Sequence, residues 1–149
     1  MAYIVKADIE AVFGVENIKT WADLDSDKNQ VKIDARVTTA ITAAEDDCNS
    51  LLQSGPYEIP FGTAPTLIKT ICAKLAGVWL YDARGTEDVD ADGSPVNKMR
   101  PHYEDAHRML RQIVGGQRTL KGITLKDKGS PTARTQTFID GERSTVTSV

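Results

Sequence analysis

The sequence predicts an all-α protein: a small bundle of three to four main helices with an extended, partly irregular C-terminal tail. Apolar side chains recur at the three- and four-residue spacing of a helix face in three long segments. Glycine and proline stand where those segments end or begin, as is typical of helix termini. No segment keeps the two-residue alternation of a half-buried strand for long. Together these features indicate a helix bundle with a modest core.

Two short helical segments are predicted near the N-terminus. The first covers Lys6–Phe13, and Gly14 follows it in a position suited to the left-handed residue after a helix. Another short helical turn covers residues 15–24. A polar loop is predicted over residues 25–32. Asp34 is then expected to cap the third helix, since a carboxylate at this place accepts hydrogen bonds from free backbone N–H groups.

Two long helices are expected to form the core. One covers residues 35–53, and the other covers residues 66–83 with Pro65 at its first position, where a missing N–H costs little. The second is the most hydrophobic stretch and is predicted to be the central helix, about 27 Å long. Ala73 and Gly77 lie four residues apart on it, so another backbone is expected to approach there. The apolar face of the first long helix consists of Val37, Ala40, Ile41, Ala44, Cys48, Leu51 and Leu52.

The last helix is predicted within residues 96–114, where Pro101 either kinks the helix or marks its start. Its apolar face is expected to include Tyr103, and two glycines follow its end. Ile123 and Leu125 suggest a short strand after it. The chain is therefore divided into a helical domain, residues 1–116, and a basic extended arm, residues 117–149.

Composition and charge narrow the functional class. The chain has 149 residues, with 18 basic and 21 acidic residues and a net charge of −3. Residues 1–116 hold 12 basic and 18 acidic residues (−6), and residues 117–149 hold six basic and three acidic residues (+3). A pI near 5.4 disfavours a strongly basic nucleic-acid binder. We find no apolar run of membrane-spanning length and no secretory signal, so an intracellular protein without a membrane segment is expected.

Two acidic loops carry weak signals for a metal ion. Asp88, Asp90 and Asp92 alternate ahead of a glycine, as at the head of a calcium-binding loop. Met99 stands where that loop needs a bidentate glutamate. A second partial match, residues 25–29, lacks the glycine. Solvated acidic loops are therefore the preferred interpretation, with an ion-binding or regulatory helical protein as the alternative.

No sequence motif points to catalysis. His102 and His107 are five residues apart, which is not the spacing of a zinc pair on one helix face, and they are expected to be exposed. Cys48 and Cys72 fall on apolar faces and are expected to be buried. Phosphate-binding glycine loops and a nucleophile elbow are missing from the sequence. The sequence therefore predicts neither an enzyme nor a cofactor.

The arm is predicted to contact protein rather than nucleic acid. It has six basic residues and one aromatic residue in 33 positions, whereas proteins that bind single-stranded nucleic acids combine basic residues with several aromatic residues that stack on the bases. Such an arm can fold against an acidic surface of a neighbour. The loop over residues 57–63 is a second candidate contact, although it also fits a rigid connector. The candidate interface residues are Tyr57, Pro60, Phe61, Arg118, Lys121, Lys126, Lys128 and Phe138.

An ordered set of motifs along residues 2–120 resembles a known family. The set matches the small neck proteins of Mu-like phages and prophages, which are grouped with the head-to-tail adaptor (connector) proteins of long-tailed phages. The basic tail after Leu120 is not part of this resemblance. The motifs are Tyr3 with Asp8-Ile9-Glu10-Ala11-Val12-Phe13-Gly14, Leu24-Asp25-Ser26-Asp27 before Ile33-Asp34, Tyr57 with Ile59-Pro60 and Pro65, Ile71-Cys72-Ala73-Lys74-Leu75-Ala76 with Leu80-Tyr81, and Tyr103-Glu104-Asp105-Ala106.

The resemblance implies a structural virion protein of the phage neck, assembled in the host cytoplasm. It implies a homo-oligomeric, twelve-fold ring between the portal protein and a stopper or tail-completion protein, with DNA passing through the lumen without specific binding. It brings no catalytic residues. A stopper or tail-completion role and a DNA-binding packaging protein stay open as alternatives. The arm is expected to be poorly ordered in the free monomer and ordered in the assembled neck.

Overall fold

A computed structural model describes residues 2–85 and 88–126. Within these residues five helices form, and the predicted all-α class is confirmed. A hairpin of two antiparallel two-residue strands, β1 (Asp88–Val89) and β2 (Pro95–Val96), lies between the last two helices. No helix in the described ranges is long and apolar enough to cross a bilayer. The helices are α1 (Lys6–Phe13), α2 (Val15–Ala22), α3 (Gln30–Leu52), α4 (Thr66–Arg84) and α5 (Arg100–Val114).

Helix α4 is the centre of the fold, as its apolar sequence predicts. It packs against each of the other four helices. Pro65 lies one residue before the helix, with extended backbone angles, rather than at its first helical position. The side chains that α4 contributes to the core are Ile68, Ile71, Cys72, Ala73, Leu75, Ala76 and Leu80.

Helix α3 begins at Gln30, five residues before the predicted start at residue 35. The side chain of Asn29 accepts hydrogen bonds from the N–H groups of Val31 and Lys32, at 3.0 and 3.3 Å. Asp34 is therefore inside the helix, and its prediction as the cap was wrong. Asparagine caps a helix as well as aspartate does, and the extra turn places Ile33 in the core.

A close contact at Gly77 fixes α1 against α4. The sequence predicted the approach of another backbone there, but the close neighbour is the ring of Phe13. A Cβ atom added at Gly77 would lie 2.0 Å from the nearest ring carbon of Phe13. The Phe13 ring also packs edge-on against Trp21 and His102. An aromatic ring, rather than a main chain, thus fills the space that this glycine leaves.

Helix α5 begins at Arg100, so Pro101 marks the start of the helix and does not kink it. Tyr103 was predicted on the buried face but is exposed, whereas Met109 is buried. The buried residues follow the spacing i, i+3, i+4 and i+7, which places them in a single apolar stripe along one face of the helix. Tyr103 falls at the edge of this stripe. The stripe consists of Ala106, Met109, Leu110 and Ile113.

Candidate assembly interface

The first ten residues of the predicted arm, 117–126, which we call the arm root, pack against the helical body. Leu120 is only 6% exposed and belongs to the main core. Its backbone N–H donates a hydrogen bond to the hydroxyl of the buried Tyr57, at 2.7 Å. The arm is therefore fixed to the body at its start. The predicted boundary at Gly116 stays a prediction.

Backbone pairing continues this attachment. Leu125 pairs with Tyr57 in an antiparallel bridge, which realises the predicted short strand at a single position. The N–H of Glu58 donates to the carbonyl of Thr124 at 3.0 Å, and the N–H of Lys126 donates to the carbonyl of Pro56 at 2.8 Å. Because the pairing is antiparallel, the chain leaves the body toward the end of α3.

The N-terminal segment holds the same loop from its other side. The N–H of Phe61 donates to the hydroxyl of Tyr3 at 3.0 Å, and that hydroxyl donates to Asn49 Oδ1 at 2.6 Å. The Tyr3 and Phe61 rings pack with centroids 5.6 Å apart. Burial raises the pKa of Tyr3, so its hydroxyl stays protonated and donates to Asn49. The loop is thus clamped between the N-terminus and the arm root.

The loop residues chosen as interface candidates differ in their surroundings. Tyr57 and Phe61 are buried inside the chain, where their rings belong to the main core. Pro60 is exposed and follows a cis peptide bond. Of the three, Pro60 offers the most surface to a partner.

The interface candidates in the arm also differ in exposure. Arg118 and Lys121 are exposed on the arm root. Lys126 is half-buried, and its ammonium group donates to the carbonyl of Gln53 at the end of α3. Lys128 and Phe138 lie outside the described residues. The contacts of these side chains with a partner stay predictions.

The positive charge of the arm lies in its root. Residues 117–126 contain Arg118, Lys121 and Lys126 and no acidic residue (3 − 0 = +3). Residues 127–149 contain three basic and three acidic residues (3 − 3 = 0). The surplus of +3 therefore sits on the segment that packs against the body, and the remainder of the arm is neutral as a whole.

The hairpin aspartates act in local turn structure. One carboxylate oxygen of Asp90 accepts hydrogen bonds from the N–H groups of Asp92 and Ser94, at 3.1 and 3.0 Å. A hydrogen bond with Asp90 lowers the pKa of Asp92. The side chain of Asp88 lies outside the described part of the structure. Across residues 2–85 and 88–126 no group of three or more His, Cys, Asp or Glu side chains is placed to hold a metal ion.

The second acidic loop is neutralised by a lysine. The ammonium group of Lys32 lies 3.0 Å from a carboxylate oxygen of Asp25 and 2.7 Å from one of Asp27. The hydrogen bond from Lys32 lowers the pKa of Asp27. A calcium ion here would have to displace this lysine.

The two histidines are not exposed, contrary to the prediction. The ring of His102 packs edge-on against Phe13, with centroids 5.1 Å apart. His107 is 14% exposed, and its Nε2 lies 3.3 Å from a carboxylate oxygen of Asp47. Both side chains flank the apolar stripe of α5, so the packing of α1 and α3 covers them. Their surroundings are those of packed structural residues.

The cysteines are buried and free, as the sequence predicted. The thiols of Cys48 on α3 and Cys72 on α4 interact with each other. A hydrogen bond with Cys48 and burial raise the pKa of Cys72 far above that of an exposed thiol. A thiol held in its protonated form is a poor nucleophile, so this pair contributes packing between the two helices.

Comparison with known proteins places this arrangement in a family. The family model described as Bacteriophage Mu, Gp36 matches residues 3–139 of the 149. The match begins at Tyr3, takes in the arm root and continues beyond it. The arm up to residue 139 is therefore part of the family pattern, which corrects the expectation that the likeness ends at Leu120. No curated protein matches the sequence. With most of its length matched, the chain belongs to the Bacteriophage Mu Gp36 family of phage proteins.

Proposed function

We propose that this chain is a structural protein of the neck of a long-tailed phage, where it forms a ring between portal and tail as a head-to-tail adaptor. Membership of a phage protein family supports this proposal. The attachment of the arm root carries it. The chain is fixed to the body as far as Lys126 and then continues for residues 127–149. An assembly protein needs such a segment, which starts from a defined point and reaches a partner.

A ring needs two different surfaces on each subunit, because its contacts are head to tail. Val12 and Val15, on either side of Gly14 at the corner between α1 and α2, are 40% and 46% exposed. Both are partly exposed apolar side chains, and covering one valine contributes up to about 1.5 kcal/mol. We assign this corner to the contact with the neighbouring subunit in a twelve-fold ring.

The charge of the body suits a channel for DNA. Residues 1–126, the body with the arm root packed on it, hold 15 basic and 18 acidic residues (15 − 18 = −3), and a wall of net negative charge does not hold phosphate strongly enough to slow the passage of DNA. The portal protein on one side and a stopper or tail-completion protein on the other are the proposed partners. No catalytic step and no cofactor is part of the proposal.

The alternative functions have less support. An ion-binding protein would need free carboxylates, whereas Asp25 and Asp27 are both paired with Lys32. A stopper or tail-completion role shares the same family and the same neck. It differs from the adaptor role in whether the protein touches the portal directly.

The test is assembly with purified portal, followed by native mass spectrometry and negative-stain imaging. We expect rings attached to the portal with the natural chain and their loss with Val15→Asp. Val89→Asp is the matched control, since Val89 is exposed on the β1–β2 hairpin, and we expect it to assemble normally. A chain that stays monomeric with portal and is missing from purified virions would refute the neck assignment. Binding to tail but not to portal would replace the adaptor role with tail completion.

A further inference from the structure

A groove runs along α3 beside the N-terminal segment; we call it the α3 groove. Its volume is about 850 Å³. Ile4 and Val37 in its lining are buried, and Ile41 is half-buried. Val5, which also lines the groove, is 60% exposed. The groove therefore offers apolar surface that the described residues leave uncovered.

The rim of the α3 groove is acidic. Asp34, Glu45 and Asp46 line it together with one cation, Lys6, so its charge is 1 − 3 = −2. Lys6 is bound to Asp34 at 2.8 Å, and the side-chain amide of Gln30 donates to the same oxygen at 2.8 Å, so a further cation near Asp34 shares the carboxylate with these two groups. Glu45 accepts two backbone hydrogen bonds from the N-terminal segment, which leave its charge in place. Asp46 forms no ion pair with any residue of the described ranges. A basic, extended peptide is the ligand that fits this charge.

The chain leads to this groove. Lys126 reaches the carbonyl of Gln53, one helical turn beyond Asn49, and Asn49 is the groove residue nearest the end of α3. From Gln53 to Asp46 is about 10 Å along the helix axis. Two further residues of extended chain span about 7 Å, and the side chain of Lys128 adds to that reach.

The residues that follow have the complementary pattern. Residues 128–139 contain Lys128 and Arg134, no acidic residue, and the apolar pair Phe138-Ile139 at their end. Six residues of extended chain separate the two cations by about 20 Å. Asp46 and Asp34 are twelve residues apart on α3, or about 18 Å. The two cations thus match the spacing of the two carboxylates at the ends of the rim.

We propose that the α3 groove binds residues 128–139 of the same chain, with Lys128 near Asp46 and Arg134 near Asp34. In this register the chain runs antiparallel to α3 and continues toward Val31, which is 79% exposed. A tether of two residues gives the segment a high effective concentration at its own groove, so it outcompetes the same segment of a neighbour in dilute solution. The contact belongs to the free chain and does not depend on the proposed neck function, in which the same segment leaves its own groove for a partner. It replaces the expectation that the whole arm is poorly ordered in the free monomer.

Disulfide trapping in the full-length chain tests the contact. Thr38 is exposed in the groove and stands opposite Thr132 in this register. We expect mild oxidation at low protein concentration to close an internal disulfide in the variant T38C/T132C, seen as a monomer on a non-reducing gel and by peptide mass spectrometry. T39C/T132C is the matched control, because Thr39 is exposed but is not in the groove. No disulfide, equal yields in both variants, or a disulfide only between two chains would each overturn the proposal.

Amide NMR spectra of the full-length chain provide a second measurement. We expect Arg134→Glu to shift the groove amides of Thr38, Thr42 and Asp46, and added salt to produce the same shifts in the natural chain. Arg143→Glu lies beyond the segment and is expected to leave those amides unchanged. Groove amides that do not respond to Arg134→Glu would overturn the proposal whether or not the chain forms rings.

Discussion

Replacing Leu120 by alanine tests whether the arm root is part of the folded body. Leu120 is 6% exposed, so nearly its whole side chain is removed from water. Truncation of a buried leucine costs about 2–5 kcal/mol, and a position at the edge of the core relaxes more easily than one at its centre. We therefore expect Leu120→Ala to lower the free energy of unfolding by about 2–3 kcal/mol.

Leu125→Ala is the matched control in the same segment. Leu125 is 55% exposed, so less than half of its surface is buried and its truncation is expected to cost at most about 1 kcal/mol. Urea unfolding followed by circular dichroism measures both values, and the slope with urea shows whether the compactness of either state changes. Equal losses in the two variants, or no loss in Leu120→Ala, would refute a packed arm root.

The same reasoning applies to the predicted boundary at Gly116. A chain that ends there lacks Leu120 and leaves the buried Tyr57 hydroxyl without its N–H donor, whereas a chain that ends at Lys126 keeps both. We expect the shorter chain to melt about 10 °C below the longer one, since roughly 2–3 kcal/mol at this size corresponds to such a shift. Equal melting temperatures in calorimetry would support independent folding of residues 1–116.

Three further predictions test the core and its titrating groups. Gly77→Ala adds a Cβ that collides with Phe13, and this overpacking costs about 2–3 kcal/mol. Alanine favours the helix by about 1 kcal/mol over glycine, so we expect urea unfolding to show a net loss of about 1–2 kcal/mol. In the control Gly62→Ala the added Cβ has no neighbour within 4 Å, and the free energy of unfolding should change by less than about 0.5 kcal/mol. Burial raises the pKa of Tyr3, so its contribution to the free energy of unfolding should be present below about pH 10 and lost above it. The melting temperature should therefore fall at alkaline pH, and Tyr3→Phe should make that fall smaller. A hydrogen bond from Lys74 lowers the pKa of Asp105, so the contribution of Asp105 to the free energy of unfolding should be present above about pH 4 and lost as the pH falls further. Asp105→Asn should reduce the acid dependence of the melting temperature. An unchanged dependence on pH would contradict the pairing of Asp105 with Lys74.

Local sequence pattern was sufficient for the helices but not for one of their ends. The bounds of α1 were predicted as observed, because glycine directly after an apolar turn leaves few alternatives. The start of α3 was not, because Asn29 and Asp34 are both good caps and the choice depends on burying Ile33 against other helices. Tyr103 was misplaced for a related reason. The width of the stripe on α5 is set by the helices that pack on it.

The candidate interface was only partly accessible from sequence. Charge counting showed an acidic body and a basic tail, and the choice of the loop near Tyr57 as a contact stays a prediction. The sequence suggested a short strand at Ile123 and Leu125 but not its partner, because Tyr57 is more than sixty residues away and its loop has no strand pattern. The pairing also changes where the positive charge lies, since it places the whole surplus of +3 from the arm on the folded body.

The sequence by itself determined the all-α class, the central position of α4, the burial of both cysteines and the family to which the chain belongs. These follow from short-range periodicity, composition and motif order, which are properties of the chain alone. The tertiary structure decided that Phe13 fills the space at Gly77, that Tyr3 and Leu120 clamp one loop from two sides, and that an acidic groove opens beside the point where the described chain ends. These contacts join residues far apart in sequence, and they form only because burying apolar surface brings distant segments together.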